Sequence, residues 1–144
     1  MKETRQIPVQ KGKTYELSIG GLGTSGEGIG RYEGFTVFVP YALPGETVRA
    51  RVTMVKKTYA SAALEQILTP SPDREKPPCP VYECCGGCQL QHLSYEGELK
   101  EKRQQVKDAM ERIGHLQGVD VLPVLGAKTP WNYRNKMQFP VAAA

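Results

Sequence analysis

T-V-R-A-R-V-T-M-V, residues 47–55, carries the strongest fold signal in the chain, because apolar and polar side chains alternate along nearly all of it. An alternation with a period of two is typical of a half-buried β-strand. The predicted inward face comprises Val48, Ala50, Val52 and Met54. The predicted outward face comprises Arg49, Arg51 and Thr53. The stretch therefore predicts one long strand with an apolar side and a basic side.

Shorter segments on either side show the same alternation. Residues 13–19, 35–39 and 60–68 are predicted to be further strands. In the first two, the inward residues would be Tyr15, Leu17, Ile19, Phe35, Val37 and Val39. Four or five short strands within about 70 residues, joined by glycine and proline turns, most economically form a small closed barrel of the oligonucleotide-binding type. The expected fold class is therefore mainly β.

The composition limits the classes of function. A chain of 144 residues has room for one ordinary domain or two small ones, and no apolar run approaches the length that spans a bilayer. Nothing near the start resembles a secretory signal. We therefore expect a cytoplasmic monomer without a membrane partner. The 19 Lys and Arg against 15 Asp and Glu give a net charge of +4, which is compatible with a polyanionic partner.

A glycine-dense segment at residues 20–30 contains Gly21-x-Gly23-x-x-Gly26, which matches the dinucleotide-binding fingerprint as a pattern. That fingerprint requires a helix directly after it, so that the helix amino terminus can hold the pyrophosphate. Here a strand is predicted next. We therefore expect no nucleotide at this loop.

Basic and aromatic residues predict an RNA-binding face on the barrel. The candidates are Arg31, Arg49, Arg51, Lys56, Lys57 and Tyr59. Cationic side chains would hold phosphates, while Tyr59, with Tyr32 and Phe38 as further candidates, would stack on unpaired bases. The alternative is that the charges only keep a small barrel soluble and the rings only pack.

All four cysteines lie in one short segment, P-P-C-P-V-Y-E-C-C-G-G-C-Q-L-Q-H-L at residues 77–93. Cys85 and Cys88 form a C-x2-C whose two glycines allow a tight backbone curl, and Cys79 adds a C-x5-C spacing. Adjacent cysteines rarely turn both sulfurs to one centre, so Cys84 is predicted to be a bystander. Three thiolates could therefore converge on one soft metal site.

Two metal sites remain open on residue chemistry alone. A cubane iron–sulfur cluster usually takes four thiolates, so a fourth would have to come from elsewhere. Zinc could be held without further residues, because His92 would complete a Cys3His tetrahedron. A structural disulfide is less favoured in a reducing compartment.

The second half of the chain predicts a linker, a helix and a late strand. Residues 69–80 are too rich in proline and charge for a regular element. The helix would begin after the cap Ser94 and stop at Gly114, with a solvated face of mixed charge. Its apolar positions would be Leu99, Val106, Met110 and Ile113. Residues 131–139 alternate again and predict a strand from near Tyr133; since a lone open-edged strand is unstable, we expect the front of a longer protein.

Several short motifs together resemble a known family. They are G-E-G-I-G-R at 26–31, V-F-V-P at 37–40, L-P-G-E at 43–46, S-P-D-R at 71–74, C-P-V-Y-E-C-C-G-G-C-Q-L-Q-H-L at 79–93 and W-N-Y-R-N-K at 131–136. In this order they resemble the amino-terminal part of the RumA-type 23S rRNA (uracil-5-)-methyltransferases. The resemblance covers nearly the whole chain, and the cysteine segment and W-N-Y-R-N-K are its specific motifs.

The resemblance implies an arrangement of domains. Residues 1–70 would form a five-stranded TRAM barrel, an RNA-binding relative of the OB-fold. Residues 71–93 would form a linker and a cysteine-rich iron–sulfur segment. Residues 94–114 would form one helix, and residues 115–144 would begin a truncated central domain.

The resemblance also implies site residues. Cys79, Cys85 and Cys88 would be ligands of a [4Fe-4S] cluster, whereas His92 would not be a ligand and Cys84 has no implied role. The family's fourth cluster cysteine lies beyond the matched residues, so the ligand set here would be incomplete.

The family's catalytic residues lie later as well. Its catalytic cysteine, its general base and its S-adenosylmethionine-binding domain follow the matched residues, so no catalytic or S-adenosylmethionine-binding residue is implied in this chain. Arg134 and Lys136 are implied to contact RNA. The expected function is that of an amino-terminal fragment of an enzyme forming 5-methyluridine in 23S rRNA, which binds RNA and supplies cluster ligands, with S-adenosylmethionine bound only by the full-length parent. The alternative is a stand-alone RNA-binding module with a Cys3His zinc site.

Overall fold

Five strands close into a barrel in the computed structural model, which describes residues 7–138 and 141. The strands are β1 (Thr14–Leu22), β2 (Gly28–Tyr32), β3 (Phe35–Val39), β4 (Thr47–Val55) and β5 (Tyr59–Thr69). Their order around the barrel is β1-β2-β3-β5-β4, and β4 pairs with β1 to complete the closure. The predicted mainly β fold class with a five-stranded barrel is confirmed.

One pairing in the barrel is parallel and the other four are antiparallel. β3 and β5 run parallel, with Val37 opposite Ala60, because β4 intervenes in the chain between them. β4 lies between β1 and β5, so Val48 has Leu17 opposite on one side and Ile67 on the other. Because the barrel is closed, each of the five strands pairs with a neighbouring strand on both sides.

The barrel core follows from the alternation in each strand. Every second side chain points inward, and the largest fully buried apolar side chains of the barrel are Leu17, Val37, Val39, Val48 and Val52. Alanines at positions 50, 60 and 62 fill the remaining narrow space. Small and branched side chains suit a five-stranded barrel, whose interior is only wide enough for side chains.

The predicted inward position of Met54 is wrong. Met54 is 38% exposed, although Val48, Ala50 and Val52 are buried as predicted. The register of β4 against β5 shifts between Val52 and Met54, where a bulge occurs. A bulge adds one unpaired residue and so reverses the inward–outward alternation beyond it.

The glycine-dense segment contains a strand that the sequence pattern did not reveal. β2 begins at Gly28, and both Gly28 and Gly30 point into the barrel. A Cβ on Gly28 would lie 2.7 Å from the carbonyl oxygen of Ala42 and 3.0 Å from Ile19 Cγ2. These glycines therefore allow close packing of the barrel wall.

The segment after the barrel contains two helices. A short helix, α1 (Tyr82–Cys85), lies within the cysteine segment and was not predicted. The long helix α2 (Tyr95–Asp108) begins as predicted, because Ser94 Oγ accepts a hydrogen bond of 3.1 Å from the Gly97 amide. A π-helical turn (Ala109–Ile113) follows, and the chain leaves it at Gly114.

The apolar positions of the long helix are buried less than predicted. Val106 is 46% exposed and Ile113 is 79% exposed, whereas Leu99 and Met110 are half-buried. The regular spacing correctly indicated a helix, but it did not indicate a fully covered face.

Residues 115–138 contain neither helix nor strand in the structure, and the strand predicted from near Tyr133 is not formed over its described part. Tyr133 is 66% exposed, and no ladder partner reaches it. The end of that prediction, Phe139, lies outside the described residues. Within the described part of the chain, no helix combines the length and apolar character needed to cross a bilayer.

Candidate nucleic-acid interface and cysteine loop

Arg49 and Arg51 lie on the outward face of β4, as predicted. Each is held by a neighbour on β5: Arg51 Nε is 3.1 Å from Glu65 Oε1, and Arg49 Nη1 donates to Gln66 Oε1 at 3.3 Å. The Arg51 side chain remains 58% exposed, so its contact with Glu65 contributes little stability. Both guanidinium groups are therefore oriented and accessible to a phosphate.

Lys56 and Lys57 occupy the exposed turn between β4 and β5. The turn is closed by a hydrogen bond of 2.8 Å from the Lys56 amide to the carbonyl of Tyr59. This bond fixes the backbone of the turn, so the two lysines directly precede Tyr59 at the start of β5.

The other predicted cationic residues lie apart from this group. Arg31 is exposed on β2, two strand spacings from β4 across β1, or about 10 Å at the usual spacing between strands. Arg134 and Lys136 are exposed in the irregular segment after α2, where the Arg134 guanidinium lies 5.7 Å from the centre of the Tyr133 ring. Arg49 and Arg51 thus share β4, and Lys56 and Lys57 lie in the turn that follows it, while the RNA contacts of all these residues stay predictions.

The three candidate stacking rings separate into two environments. Tyr32 packs on Tyr15, with ring centres 4.6 Å apart, and both lean against the barrel core. Phe38 and Tyr59 instead meet edge to face on the outside of β3 and β5, with ring centres 5.4 Å apart. The second pair borders an open groove.

That open space is a groove between the outer wall of the barrel and the cysteine segment, with a volume of about 490 Å³. The barrel side is formed mainly by Phe38, Tyr59 and Met54. The opposite side is formed by Gly86, Cys88 and Gln89. We call this space the aromatic groove.

The four cysteines are free thiols in a loop that we call the cysteine loop, residues 79–88. Cys79 is half-buried, and Cys84, Cys85 and Cys88 are exposed. Their soft sulfur atoms suit iron or zinc. Among the described residues, however, no three Cys, His, Asp or Glu side chains are gathered closely enough to hold a metal ion. The donor chemistry fits a metal centre, but the arrangement in this structure does not.

The surroundings of His92 are those of a buried histidine. It is buried, and its Nδ1 lies 2.7 Å from the hydroxyl of Tyr82, while Nε2 has no partner among the described residues. Burial lowers the pKa of His92 to about 4, with a further lowering by the charge of Arg74, so the imidazole is neutral at neutral pH. Because no three metal-binding side chains are gathered among the described residues, the Cys3His zinc site considered from the sequence is not assembled.

A buried ion pair that the sequence did not reveal connects the barrel to the segment after it. Arg74 donates to Glu46 twice, from Nε to Oε1 at 2.6 Å and from Nη2 to Oε2 at 2.9 Å. The Glu46 side chain is completely buried, and its oxygens also accept from the amides of Leu43 and Ser71. Both partners stand in motifs visible in the sequence, L-P-G-E and S-P-D-R, but nothing in either motif indicated that they meet.

Further contacts continue from this ion pair to the cysteine loop. Arg74 Nη2 donates to the carbonyl of Tyr41 at 2.6 Å, and the Tyr41 ring meets those of Tyr82 and His92 edge to face at 5.7 and 5.8 Å. Burial raises the pKa of the Tyr82 hydroxyl, which keeps it protonated and able to donate. The cysteine loop is thereby packed against the barrel through α1.

Comparison with known proteins identifies the barrel. The TRAM domain family matches residues 8–64. Over 137 residues the chain is 51% identical to a Clostridium tetani protein named an uncharacterized RNA methyltransferase, covering 95% of this chain and 30% of the relative. A Halalkalibacterium halodurans protein, uncharacterized RNA methyltransferase BH0897, is also 51% identical over 139 residues, with the same coverage.

The chain therefore spans about 30% of the length of the curated relatives that it matches. This chain also matches a crystal structure of Pyrococcus abyssi tRNA (uracil-54, C5)-methyltransferase with S-adenosyl-L-homocysteine. The match covers 74% of this chain and 23% of the Pyrococcus abyssi chain, at 31% identity and a TM-score of 0.43. A TM-score of 0.43 is too low for a comparison of the two folds.

Proposed function

We propose that this chain is the part of an RNA methyltransferase that holds the RNA substrate, because the TRAM domain family matches residues 8–64 and the chain is 51% identical over 137 residues to a relative named an RNA methyltransferase. The observation that carries the proposal is the group of exposed cations on β4 and the following turn, beside an outward-facing aromatic pair. Cations bind the phosphate backbone, and aromatic rings stack on bases that are not paired.

We propose that the parent enzyme methylates C5 of uracil in 23S rRNA. The cysteine segment and the W-N-Y-R-N-K motif support this substrate, because they are the specific motifs of the resemblance to the RumA-type enzymes. S-adenosylmethionine would supply the methyl group in the full-length parent. The residues of this chain bind and orient RNA, and none of them is assigned to a chemical step. An rRNA substrate is consistent with a cytoplasmic location.

The cysteine loop is proposed to supply Cys79, Cys85 and Cys88 to a [4Fe-4S] cluster, with a fourth ligand from elsewhere in the parent. The soft donor set supports this assignment. The local backbone supports it as well, since Gly86 has φ +70° and ends α1 in a left-handed turn between Cys85 and Cys88. Binding of the cluster would require the three sulfurs to move together from their present positions.

RNA binding is tested by salt dependence. The double variant Arg49→Ala/Arg51→Ala should weaken binding of a single-stranded RNA and lower the slope of log affinity against log salt by about 0.7 for each phosphate that is no longer neutralised. Fluorescence anisotropy at several salt concentrations measures both quantities. Lys100→Ala/Lys107→Ala on α2 removes the same charge from a face of mixed charge and should change the slope less. Equal slopes for the two double variants would exclude the β4 face as the phosphate-binding surface.

A further inference from the structure

The aromatic groove has the size and the walls of a binding site. Its volume of about 490 Å³ lies within the range of roughly 300–1,000 Å³ that is usual for small-ligand sites. The barrel wall is made by the aromatic rings of Phe38 and Tyr59, with Met54 of the adjacent strand β4 beside them. Met54 reaches this wall because the bulge in β4 turns it outward.

The two rings are arranged so that they hold each other in place. Phe38 lies opposite Ser61 across the β3–β5 pairing, and Tyr59 lies opposite Thr36, so the two rings are diagonal neighbours on one face of the sheet. Their planes are 73° apart, which is the favourable edge-to-face arrangement. Mutual packing limits the rotamers of both rings, so a planar ligand would meet a rigid surface.

The charged residues in and around the groove indicate which part of an RNA strand the groove could hold. The described residues that line it include no Lys or Arg, and Glu27 contributes a carboxylate, which repels phosphate. Lys56 and Lys57 instead lie on the turn that precedes Tyr59, outside the lining. Apolar rings are thus inside the groove and the cations are beside it.

We propose that the aromatic groove binds one unpaired nucleobase of an RNA strand, while the phosphates next to that base lie against Lys56 and Lys57. The proposal rests on the proposed RNA-binding function and adds the place and the mode of binding. A base has the flat apolar faces that stack on aromatic rings, and its sugar–phosphate chain would leave the groove on the cationic side.

The cysteine loop forms the other wall of the same groove. Gly86, Cys88 and the adjoining Gln89 line the groove opposite the rings, and Gly86 adds no side chain to that wall. A base in the groove would therefore contact both the barrel and the loop. This position makes the loop part of the RNA-binding surface.

The test compares single-stranded and double-stranded RNA. The probes are an oligouridylate of about ten nucleotides, within the roughly 4–16 that one OB-type fold covers, and an RNA duplex of equal length. Tyr59→Leu and Phe38→Leu should each weaken binding of the single strand about five- to a hundredfold. Binding of the duplex, whose bases are not available for stacking, should change less than about twofold for either variant, and the salt slope should be unchanged.

Two further variants separate stacking from general damage to the barrel. Tyr59→Phe keeps the ring and should bind the single strand like the unmodified protein. Tyr32→Leu makes the same change as Tyr59→Leu at a ring that packs on Tyr15 outside the groove, and it should leave single-strand affinity unchanged. Thermal unfolding of each variant confirms that the barrel is folded during the measurement.

The outcomes distinguish this inference from the proposed function. Single-strand binding that survives both Tyr59→Leu and Phe38→Leu would overturn the groove while leaving RNA binding intact. An equal loss in Tyr32→Leu, or an equal loss of duplex binding, would also overturn it. If the unmodified protein binds neither probe, the proposed RNA-binding function itself fails.

Discussion

Glu46 shows how a single carboxylate can be kept charged away from water. Burial raises its pKa, but the hydrogen bonds from Arg74 and from the amides of Leu43 and Ser71 outweigh burial, so the pKa lies below the ordinary value. A carboxylate with two charged and two amide donors has nearly all of its acceptor positions satisfied.

We predict that Glu46→Gln destabilises the protein by about 3–5 kcal/mol, because it leaves the Arg74 guanidinium without its buried counter-charge. Urea unfolding at neutral pH measures the difference. Glu75→Gln, which removes an exposed carboxylate next to Arg74 in sequence, is the matched control and should cost less than about 0.5 kcal/mol.

The same pair has a defined dependence on pH. Since the folded-state pKa of Glu46 is lowered, its contribution is fully present above the ordinary carboxyl pKa and is lost as the pH falls through the folded value. The stability difference between the unmodified protein and Glu46→Gln should therefore be constant near neutrality and shrink only in acid, below about pH 4.5. A difference that shrinks already between pH 7 and pH 6 would contradict this account.

At the scale of elements, the barrel strands depend on how closely the backbones approach. β2 runs beside the segment that contains Ala42, and the absence of a side chain at Gly28 allows the contact. β1 by contrast has glycines with open space around them, since a Cβ at Gly20 would meet nothing within 4 Å. The glycines in one dense segment therefore have different roles.

We predict that Gly28→Ala destabilises the barrel by about 1–3 kcal/mol, the usual cost of overpacking, because its Cβ would collide with a backbone carbonyl that cannot rotate away. Gly20→Ala is the matched control and should be neutral or slightly stabilising, since alanine restricts the unfolded chain. Thermal unfolding of both variants measures the difference in their stabilities. Equal stability of the two would mean that the wall around Gly28 relaxes freely.

The cysteine loop is the element in which we propose a bound cluster. We predict that the protein purified without oxygen contains iron and sulfide, and that Cys85→Ser or Cys88→Ser abolishes them while Cys84→Ser does not. Metal and sulfide analysis with an absorption spectrum on one sample provides the measurement. About one zinc per chain without sulfide would instead support the stand-alone zinc module.

At the scale of the whole molecule, the barrel and the cysteine loop are joined by three kinds of contact. The first is the ion pair between Glu46 and Arg74, and the second is the cluster of rings around Tyr41. The third is a small apolar core in which Leu22 and Leu43 of the barrel pack with Leu93. The division predicted at residue 70 stays a prediction, but strong contacts cross it.

We predict that a chain shortened to residues 1–70 is less stable by about 3–5 kcal/mol than one shortened to residues 1–93, because the Glu46 carboxylate loses Arg74 and the Ser71 amide and the barrel loses its apolar contact with Leu93. Replacing Glu46 by Met in the shorter chain should recover part of the stability by removing the unpaired charge. Thermal unfolding at neutral pH measures all three chains. Equal stability of the 1–70 and 1–93 chains would show that the barrel does not depend on the segment that follows it.

Local patterns in the sequence were sufficient to predict much of the fold. The alternation in residues 47–55 identified β4 and its exposed arginines, and Ser94 identified the start of α2, because both signals depend on residues close together in the chain. β2 was missed, since glycines carry no side chain and so show no alternation. Over its described residues, up to 138, the strand expected near Tyr133 did not form, because alternation alone does not supply a pairing partner.

The local order of side chains thus determined the fold class, the strand faces and the candidate cations and thiols. Contacts between distant residues determined the rest: the outward turn of Met54 required the register with β5, and the ion pair joins residues 28 positions apart. The aromatic groove likewise exists only where the cysteine loop returns to the wall of β3 and β5. The physical reason is that burial, register and enclosed volume are properties of surfaces brought together by folding, and no short stretch of chain contains them.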